Sequence, residues 1–316
     1  MFLAGTGDPT VVTERFGHRA RREFRRNRYL YVMLIPVVGF YFLFHYAPMY
    51  GLIISFKDFV PTLGIWKSDW VGFSHFESFF TSVYAWRLIR NVVVINVYNL
   101  VVQFPAPIIL ALMLNEVRWM PFKRTVQTIT YLPHFVSLVI IVGLMMDFLS
   151  REGVVNRVIM GMGMEAIPFF SEPSLFRTLY VGSNVWQTAG WGSIIYLAAL
   201  ASINQELYEA AEADGAGRWL KMWHISLPGL LPTTVVLFIM RIGQMMTVGF
   251  EKIILMYNPL TYETADVISS FVYRRGLIQA DWSYSTAVGF VNSAINFVLL
   301  VSINKLARRT GETSLW

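Results

Sequence analysis

The stretch Gln205-Glu206-Leu207-Tyr208-Glu209-Ala210-Ala211-Glu212-Ala213-Asp214-Gly215-Ala216-Gly217 is a polar interruption between two long apolar runs of the chain. It contains strong helix formers and no β-branched residue before its first glycine, which predicts a short helix from Gln205 to Asp214. Gly215 and Gly217 can end that helix and turn the chain. The sequence Ile225-Ser226-Leu227-Pro228 follows. Pro228 predicts the start of the next apolar helix, because a missing N–H costs little in a first turn.

Six apolar runs around this interruption are long enough to cross a membrane, which takes about 20 mainly apolar residues. The predicted spans are residues 29–49, 91–114, 125–149, 178–203, 230–256 and 285–303. Helices are expected because backbone polar groups must be paired inside lipid. The chain is 55% hydrophobic and only 15% charged, against about 25% charged in a soluble domain. The sequence therefore predicts an all-α membrane protein with six transmembrane helices.

Positive charge is concentrated in alternate segments between the spans. Seven arginines precede the first span, and most of the 26 Lys and Arg residues lie there, in two later loops and in the tail. Segments rich in Lys and Arg stay in the cytoplasm, so both termini are predicted to be cytoplasmic. The predicted organisation is a basic cytoplasmic segment 1–28, a six-helix domain 29–303 with a cytoplasmic loop 204–228, and a cytoplasmic tail 304–316. Because these basic residues flank spans, nucleic acid is not a predicted partner.

The loop residues resemble the signature of permease subunits of binding-protein-dependent ABC importers. That signature reads Glu-Ala-Ala, three residues, Gly, nine residues, and Ile-x-Leu-Pro. Its fixed positions are met by Glu209, Ala210, Ala211, Gly215, Ile225, Leu227 and Pro228. Asp214-Gly215-Ala216 is similar to the carbohydrate-importing branch, as are Trp70-Val71-Gly72-Phe73 and Leu110-Ala111-Leu112. Within that branch the chain resembles the subunits that import complex oligosaccharides, alginate oligosaccharides among them.

This resemblance implies the type I importer permease fold and a place in the bacterial cytoplasmic (inner) membrane. It implies that the loop helix fits a groove on a cytoplasmic ATPase, where Glu209 pairs with a basic side chain. The implied ATPase-coupling residues are Glu209, Ala210, Ala211, Asp214, Gly215, Ile225, Leu227 and Pro228. The implied partners are a second homologous permease, two ATPase subunits, an extracytoplasmic solute-binding protein and a sugar.

The chain itself is predicted to be non-catalytic. It has no Gly-x-x-x-x-Gly-Lys-Ser/Thr phosphate loop, so ATP and Mg are expected on the ATPase chain and no cofactor on this one. It has no cysteine, and its five histidines show no metal-ligand spacing. The alternative function is an ion-gradient-driven secondary transporter, a class that favours inverted repeats and carboxylates near the midplane.

Polar side chains on the predicted spans are candidates for the substrate path, since such groups usually face protein or water. Amides and guanidinium groups suit sugar hydroxyls, and flat aromatic rings suit the C–H side of a sugar. The predicted path residues are Asn184, Trp186, Gln187 and Trp191 on the fourth span and Arg241 and Gln244 on the fifth. For Asn96, Asn99 and Gln103 on the second span, and for Asn292 and Asn296 on the sixth, we favour hydrogen bonds between helices.

Arg241 needs a partner, because a guanidinium exposed to lipid costs about 3 kcal/mol or more. Glu251 lies about 15 Å further along the same helix, which is too far. Asp147 or a carboxylate on a neighbouring subunit is one candidate partner. The other is an acidic sugar, and this second interpretation predicts an acidic oligosaccharide such as a uronate oligomer.

The prolines of the spans and the aromatic residues of one outer segment lead to two further predictions. Pro105, Pro107 and Pro133 remove backbone donors within the second and third spans and predict kinks there. The aromatic outer segment 56–80 is interpreted as an interfacial belt, with a docking surface for an outside partner as the second interpretation.

Overall fold

The structure, a computed structural model, describes residues 26–243 and 249–309, and these are almost entirely helical. The α-helices, numbered in chain order, are α1 Arg28–Tyr41, α2 Ala47–Met49, α3 Gly64–Lys67, α4 Ser74–Thr81, α5 Val83–Tyr98, α6 Pro105–Glu116, α7 Met120–Tyr131, α8 Leu138–Leu149, α9 Val154–Gly161, α10 Pro173–Ala201, α11 Gln205–Ala213, α12 Arg218–Lys221, α13 Leu227–Gly243, α14 Phe250–Met256, α15 Tyr262–Ala265, α16 Ile268–Tyr273 and α17 Trp282–Arg309. Shorter helical turns are Tyr50–Phe56 and Leu132–Phe135 of the 3-10 type, and Phe42–Tyr46, Asn99–Gln103, Met222–Ser226 and Arg274–Ile278 of the π type. Two short antiparallel strands, β1 Lys57–Asp58 and β2 Asp69–Trp70, pair with each other.

Four helical stretches in the described part of the chain are long and apolar enough to cross a membrane. They are Arg28–Phe56, Val83–Glu116, Arg218–Ile242 and Trp282–Ser302, and a bent pair gives a fifth at most. The predicted fourth span, 178–203, coincides with α10, whose 29 residues rise about 44 Å but which is not among these four or five. The predicted number of six spans therefore stays a prediction.

Two predicted spans are not continuous helices. In the third, Met120–Phe135 and Leu138–Gly161 meet at 104°, and Pro133 lies in the turn between them, where its ring and missing N–H break the helix. In the predicted fifth span, α13 ends at Gly243 and α14 begins at Phe250, after Gly249 in a non-helical conformation. The third predicted span, 125–149, is thus interrupted at the proline where a kink was predicted, and the prediction of one continuous helix over 230–256 is wrong.

Prolines and π-helical turns occur together in this chain. Pro48, Pro105 and Pro228 each lie two residues after the end of a π turn. A proline removes one backbone donor and its ring crowds the preceding turn, and a wider turn makes room for it. Pro228 does not start its helix as predicted, because the helical stretch already begins at Arg218.

The larger compact unit, from Ile54 onward, has its main core between α5, α10, α14, α16 and α17. Leu88, Ile95, Val181, Ile253 and Val288 are at most 1% exposed there. In the N-terminal unit, which ends at Ile53, no residue of α1 is buried.

Gly190 marks a close approach of two helices in the larger unit. A Cβ atom at this position of α10 would lie 2.0 Å from the carbonyl oxygen of Thr130 on α7. Small residues allow helix backbones to approach in this way in membrane proteins. The two backbones are therefore in direct contact here.

Candidate functional site

A polar cavity of about 190 Å³ lies between three helical segments. They are α5 with the π turn Asn99–Gln103 that follows it, α10, and α13. Its lining residues are Asn96, Asn99, Gln103, Tyr180, Asn184, Arg241 and Gly249. Two of the predicted path residues, Asn184 and Arg241, are among them. The amides of the second predicted span also line the cavity, although the sequence favoured a purely structural role for them.

Arg241 is held by an amide of the second predicted span. Its Nη2 donates to Oε1 of Gln103 at 2.9 Å, and Nε2 of Gln103 donates to Oγ1 of Thr188 on α10 at 3.0 Å. Asp147 forms no ion pair with any described Lys or Arg residue. The candidate pair between Asp147 and Arg241 is therefore wrong within the described residues, and a neutral amide oxygen takes its place.

A second cation, Lys252, lies next to the cavity and was missed by the sequence interpretation. It is only 3% exposed, and its Nζ donates to Oδ1 of Asn184 at 2.7 Å. Nδ2 of Asn184 in turn donates to Oδ1 of Asn99 at 3.4 Å. The Tyr180 ring lies 5.7 Å from the ammonium, and no described carboxylate pairs with it.

Of the three amides of the second span predicted to join helices, two do so, and the prediction is wrong for Asn96 in the described contacts. Gln103 and Asn99 reach α10 through Thr188 and Asn184. Asn96 instead donates to the carbonyl of Val92 in its own helix at 2.8 Å. The same side chains thus serve packing and line the cavity, so the two roles are compatible.

The other predicted path residues lie elsewhere. The Trp191 ring stacks on His134 at the bend between α7 and α8, with centroids 4.6 Å apart and planes at 2°. Trp186 is exposed and Gln187 is half-buried, and neither lines the cavity. Gln244 lies outside the described residues.

The loop helix α11 has the caps that its sequence predicts. Oδ1 of Asn204 accepts from the backbone N–H of Glu206 at 3.0 Å at its start. At its end, Gly215 has a φ of +82°, and the N–H of Ala216 donates to the carbonyl of Ala211 at 2.8 Å. This six-residue closure around a left-handed glycine is the Schellman ending, so the glycine of the motif has a backbone requirement.

Two contacts tie the loop helix to the start of the next long helix. The Tyr208 hydroxyl and the Ser226 hydroxyl are hydrogen-bonded at 2.9 Å, and Lys221 pairs with Glu212 at 3.3 Å. Of the predicted coupling residues, Glu209, Ala210, Asp214, Gly215 and Pro228 are exposed, whereas Ala211, Ile225 and Leu227 are half-buried. The exposed carboxylate and small residues leave one side of α11 open to a partner.

A buried carboxylate organises the segment that follows α14. Asp266 is fully buried. Its carboxylate accepts hydrogen bonds from Nη1 of Arg274 at 3.1 Å, from Nη2 of Arg274, and from the Ser270 hydroxyl at 2.8 Å. Nη2 of Arg87, on α5, is 3.8 Å from the same carboxylate. Burial by itself lowers the pKa of the Arg274 guanidinium, but the hydrogen bonds and charge of Asp266 outweigh it and raise that pKa.

Asn91 extends this network to α10. Its Nδ2 donates to the carbonyls of Glu263 and Asp266, both at 2.9 Å, and its Oδ1 accepts from Arg177 at 2.9 Å. The segment between α14 and α16 is thereby fastened to α5 and α10.

The predicted outer segment contains an aromatic cluster. The Phe56 and Trp70 rings stack 5.8 Å apart at 9°, and the Phe73 and Phe76 rings lie 5.4 and 5.3 Å from Phe56. Trp70 and Phe73 are 65% and 71% exposed. This exposure fits both the interfacial belt and the docking surface.

Comparison with known proteins identifies relatives along nearly the whole chain. Residues 103–312 match the family described as binding-protein-dependent transport system inner membrane component. The chain is 43% identical to the protein LplB of Bacillus subtilis (strain 168) over 98% of each chain. It is 44% identical to the polygalacturonan/rhamnogalacturonan transport system permease protein YteP of the same organism, over 92% of this chain and 91% of that one.

Two solved structures are similar in both sequence and fold. One is a bacterial ABC transporter involved in the import of the acidic polysaccharide alginate, with a TM-score of 0.86 and 44% identity over 92% of this chain and 99% of that chain. The other is a bacterial alginate ABC transporter in complex with an alginate pentasaccharide-bound periplasmic protein. Its TM-score is 0.87 and its identity 43%, over 94% of this chain and 100% of that chain.

Proposed function

The chain belongs to the family of binding-protein-dependent transport system inner membrane components, and we propose that within this family it carries an acidic oligosaccharide into the cytoplasm. It has the type I ABC permease fold and is a sugar-importing permease of the bacterial inner membrane. The proposal concerns two further properties: the charge of the transported sugar, and the way in which ATP hydrolysis is coupled to its transport.

The observation that carries the proposal is that the two cations at the cavity contact neutral amides instead of carboxylates. Arg241 and Lys252 both meet amide oxygens, and no described carboxylate pairs with either. A buried cation without a counter-ion is costly, and a bound carboxylate would supply the missing charge. A guanidinium fits a carboxylate through two parallel hydrogen bonds.

The relatives support an acidic sugar. The two similar solved structures belong to importers of alginate, an acidic polysaccharide, and YteP carries polygalacturonan in its name. We propose that this chain shares that chemical class, with alginate oligosaccharide as the leading candidate.

We further propose that the loop 204–228 couples transport to ATP hydrolysis on separate chains. The exposed side of α11, with Glu209 and Ala210, is the proposed contact with the ATPase. The complete assembly would hold a second homologous permease, two ATPase subunits that bind ATP and Mg, and an outside solute-binding protein. An ion-gradient-driven transporter is the alternative, and it differs in its energy source.

Uptake into proteoliposomes that hold the assembled complex tests substrate charge and energy source together. With ATP as the only energy source, we expect a tri-uronate to be taken up in preference to the same trisaccharide with its carboxyl groups reduced. A charge-assisted hydrogen bond contributes about 1.5–3 kcal/mol, so Arg241→Gln should weaken uptake of the acidic sugar by about 10- to 100-fold. Arg241→Lys, the control that keeps the charge without the planar fork, should recover only part of this loss.

Two results would contradict the proposal. Equal effects of Arg241→Gln on the two sugars would make Arg241 structural. Uptake that required an ion gradient and proceeded without ATP would favour the alternative.

A further inference from the structure

The two cations at the cavity fix the direction of the amides that they contact. An ammonium and a guanidinium can only donate hydrogen bonds. Lys252 donates to Oδ1 of Asn184 at 2.7 Å, and Arg241 donates to Oε1 of Gln103 at 2.9 Å. Each amide must therefore turn its oxygen to the cation and its NH2 group away from it.

This direction continues through the second layer of contacts. Asn184 donates from Nδ2 to Oδ1 of Asn99 at 3.4 Å, and Gln103 donates from Nε2 to the Thr188 hydroxyl at 3.0 Å. The Thr188 hydroxyl then donates to the backbone carbonyl of Asn184 at 2.7 Å. Every bond in both series points away from a cation.

Asn99 ends the series that starts at Lys252. Its oxygen is occupied by Asn184, its side chain lines the cavity, and its NH2 group donates to no other described residue. The cavity wall therefore offers a hydrogen-bond donor at this point. A hydroxyl or an amide oxygen can also accept from this donor, but a carboxylate accepts more strongly because it is ionised, and it has no donor of its own to leave unpaired.

Lys252 itself is not among the residues that line the cavity. It is 3% exposed, and its ammonium contacts Asn184, which does line the cavity. Such a burial is costly for an ammonium, and simple packing of α14 on α10 would be served as well by an apolar side chain.

We propose that Lys252 is a positioning residue that sets the polarity of the Asn184–Asn99 pair, so that the cavity offers donors and selects carboxylate-bearing sugars. This inference rests on the proposed function, because it assigns a further determinant of the same selectivity. Lys252 acts through two amides and does not touch the sugar.

The variant Asn184→Asp reverses the direction of the pair. Its carboxylate also lines the cavity and repels an acidic sugar, so a fall in selectivity in this variant is required by the proposal but does not establish it alone. The new carboxylate can accept from Lys252, which keeps that cation paired, and it can also accept from Asn99. The Asn99 amide would then reverse and turn its oxygen to the cavity. Lys252→Met removes the cation at similar length, and Lys252→Arg keeps a donor-only group in its place.

The experiment measures KM and kcat for the tri-uronate and its carboxyl-reduced counterpart in the assembled complex. The same binding protein is present in every arm, so a changed ratio between variants reports the permease. We expect Asn184→Asp and Lys252→Met to lower the acidic-to-neutral ratio of kcat/KM by at least about tenfold, mainly through KM for the acidic sugar. Lys252→Arg should keep the ratio within about threefold of the wild type.

The outcomes separate the two claims. A wild type without preference for the acidic sugar overturns the proposed function. A wild-type preference that survives in Asn184→Asp overturns the role of Lys252 alone, and so does an equal loss for both sugars in Lys252→Met. If Lys252→Met does not assemble, Asn99→Leu decides, because it removes the donor from the cavity wall without adding charge: a fall in the acidic-to-neutral ratio supports the role of Lys252, and an unchanged ratio overturns it.

Discussion

Gly215 ends the loop helix α11 with a φ of +82°, and apart from its chain neighbours no described residue has an atom within 4 Å of the place that a Cβ would take. A side chain there would strain the backbone by roughly 1–2 kcal/mol without a clash inside this chain. We expect Gly215→Val to leave the membrane helices folded and to lower binding-protein-stimulated ATP hydrolysis by more than about tenfold in the assembled complex. Glu209→Lys should have the same effect through the reversed charge.

Gly217 supplies the matched control for this prediction. It also has open space around it, but its φ is −69°, which any residue adopts. Gly217→Val should therefore keep most of the stimulated activity. Normal stimulation in Gly215→Val would remove this glycine from the coupling residues.

Of the residues predicted from the sequence for the substrate path, Asn184 and Arg241 line one cavity, and their role in transport stays a prediction. The sequence interpretation missed Lys252. Arg241 was conspicuous because it lay in the middle of an apolar run, where a charge needs an explanation. Lys252 lay near the end of what read as one continuous span, where lysines usually reach the interface. Gly249, in a non-helical conformation, precedes a separate helix α14 on which the ammonium of Lys252 meets Asn184, and no local sequence pattern predicted this.

Asp266 fastens α5, the π turn after α16 and the segment after α14 to one another. Asp266→Asn would leave Arg274 and Arg87 without their buried counter-charge, and breaking a buried ion pair from one side costs about 3–5 kcal/mol. We expect a clear fall in the thermal unfolding temperature of the detergent-purified complex. The measurement is a thermal denaturation series of the wild type and the variant.

Glu263→Gln is the control at the same element. Its carboxylate is 4.0 Å from Arg90 and its side chain is 73% exposed, so the pair contributes at most about 1 kcal/mol. If both variants shifted the unfolding temperature equally, the buried carboxylate would not be the organising group.

Among the helices, those set by local sequence were predicted, and those set by packing were not. The short helix before Gly215 followed from helix formers and a terminating glycine, both of which act locally. The 104° bend between α7 and α8 did not follow, because Pro133 predicts a kink but not its size. That size depends on packing such as the stack of Trp191 on His134, and packing of this kind is absent from a linear sequence.

For the whole molecule, the all-α permease fold predicted from the sequence is confirmed by the family match and the solved relatives. The count of spans and the side of each loop stay predictions, and labelling can test them. The chain has no cysteine, so single-cysteine variants carry no background. We expect a membrane-impermeant maleimide to label Glu165→Cys from outside, and to reach Ala213→Cys and single cysteines placed in tags at the two termini only after permeabilisation.

Labelling of the two termini from opposite sides would require an odd number of spans. Outside labelling of Ala213→Cys would instead invert the orientation derived from the basic residues. Equal labelling of Glu165→Cys before and after permeabilisation is the control that the reagent reaches outside positions completely.

The contact of Gly190 with the carbonyl of Thr130 also limits which mutations the codon for this glycine can accept. Every codon one nucleotide away from a glycine codon encodes glycine, a stop or a residue with a Cβ, and a Cβ would lie 2.0 Å from that oxygen. Changes at this codon are therefore expected to be either silent or harmful, with nothing between. The site has no gradual route to another residue unless α7 has first moved away.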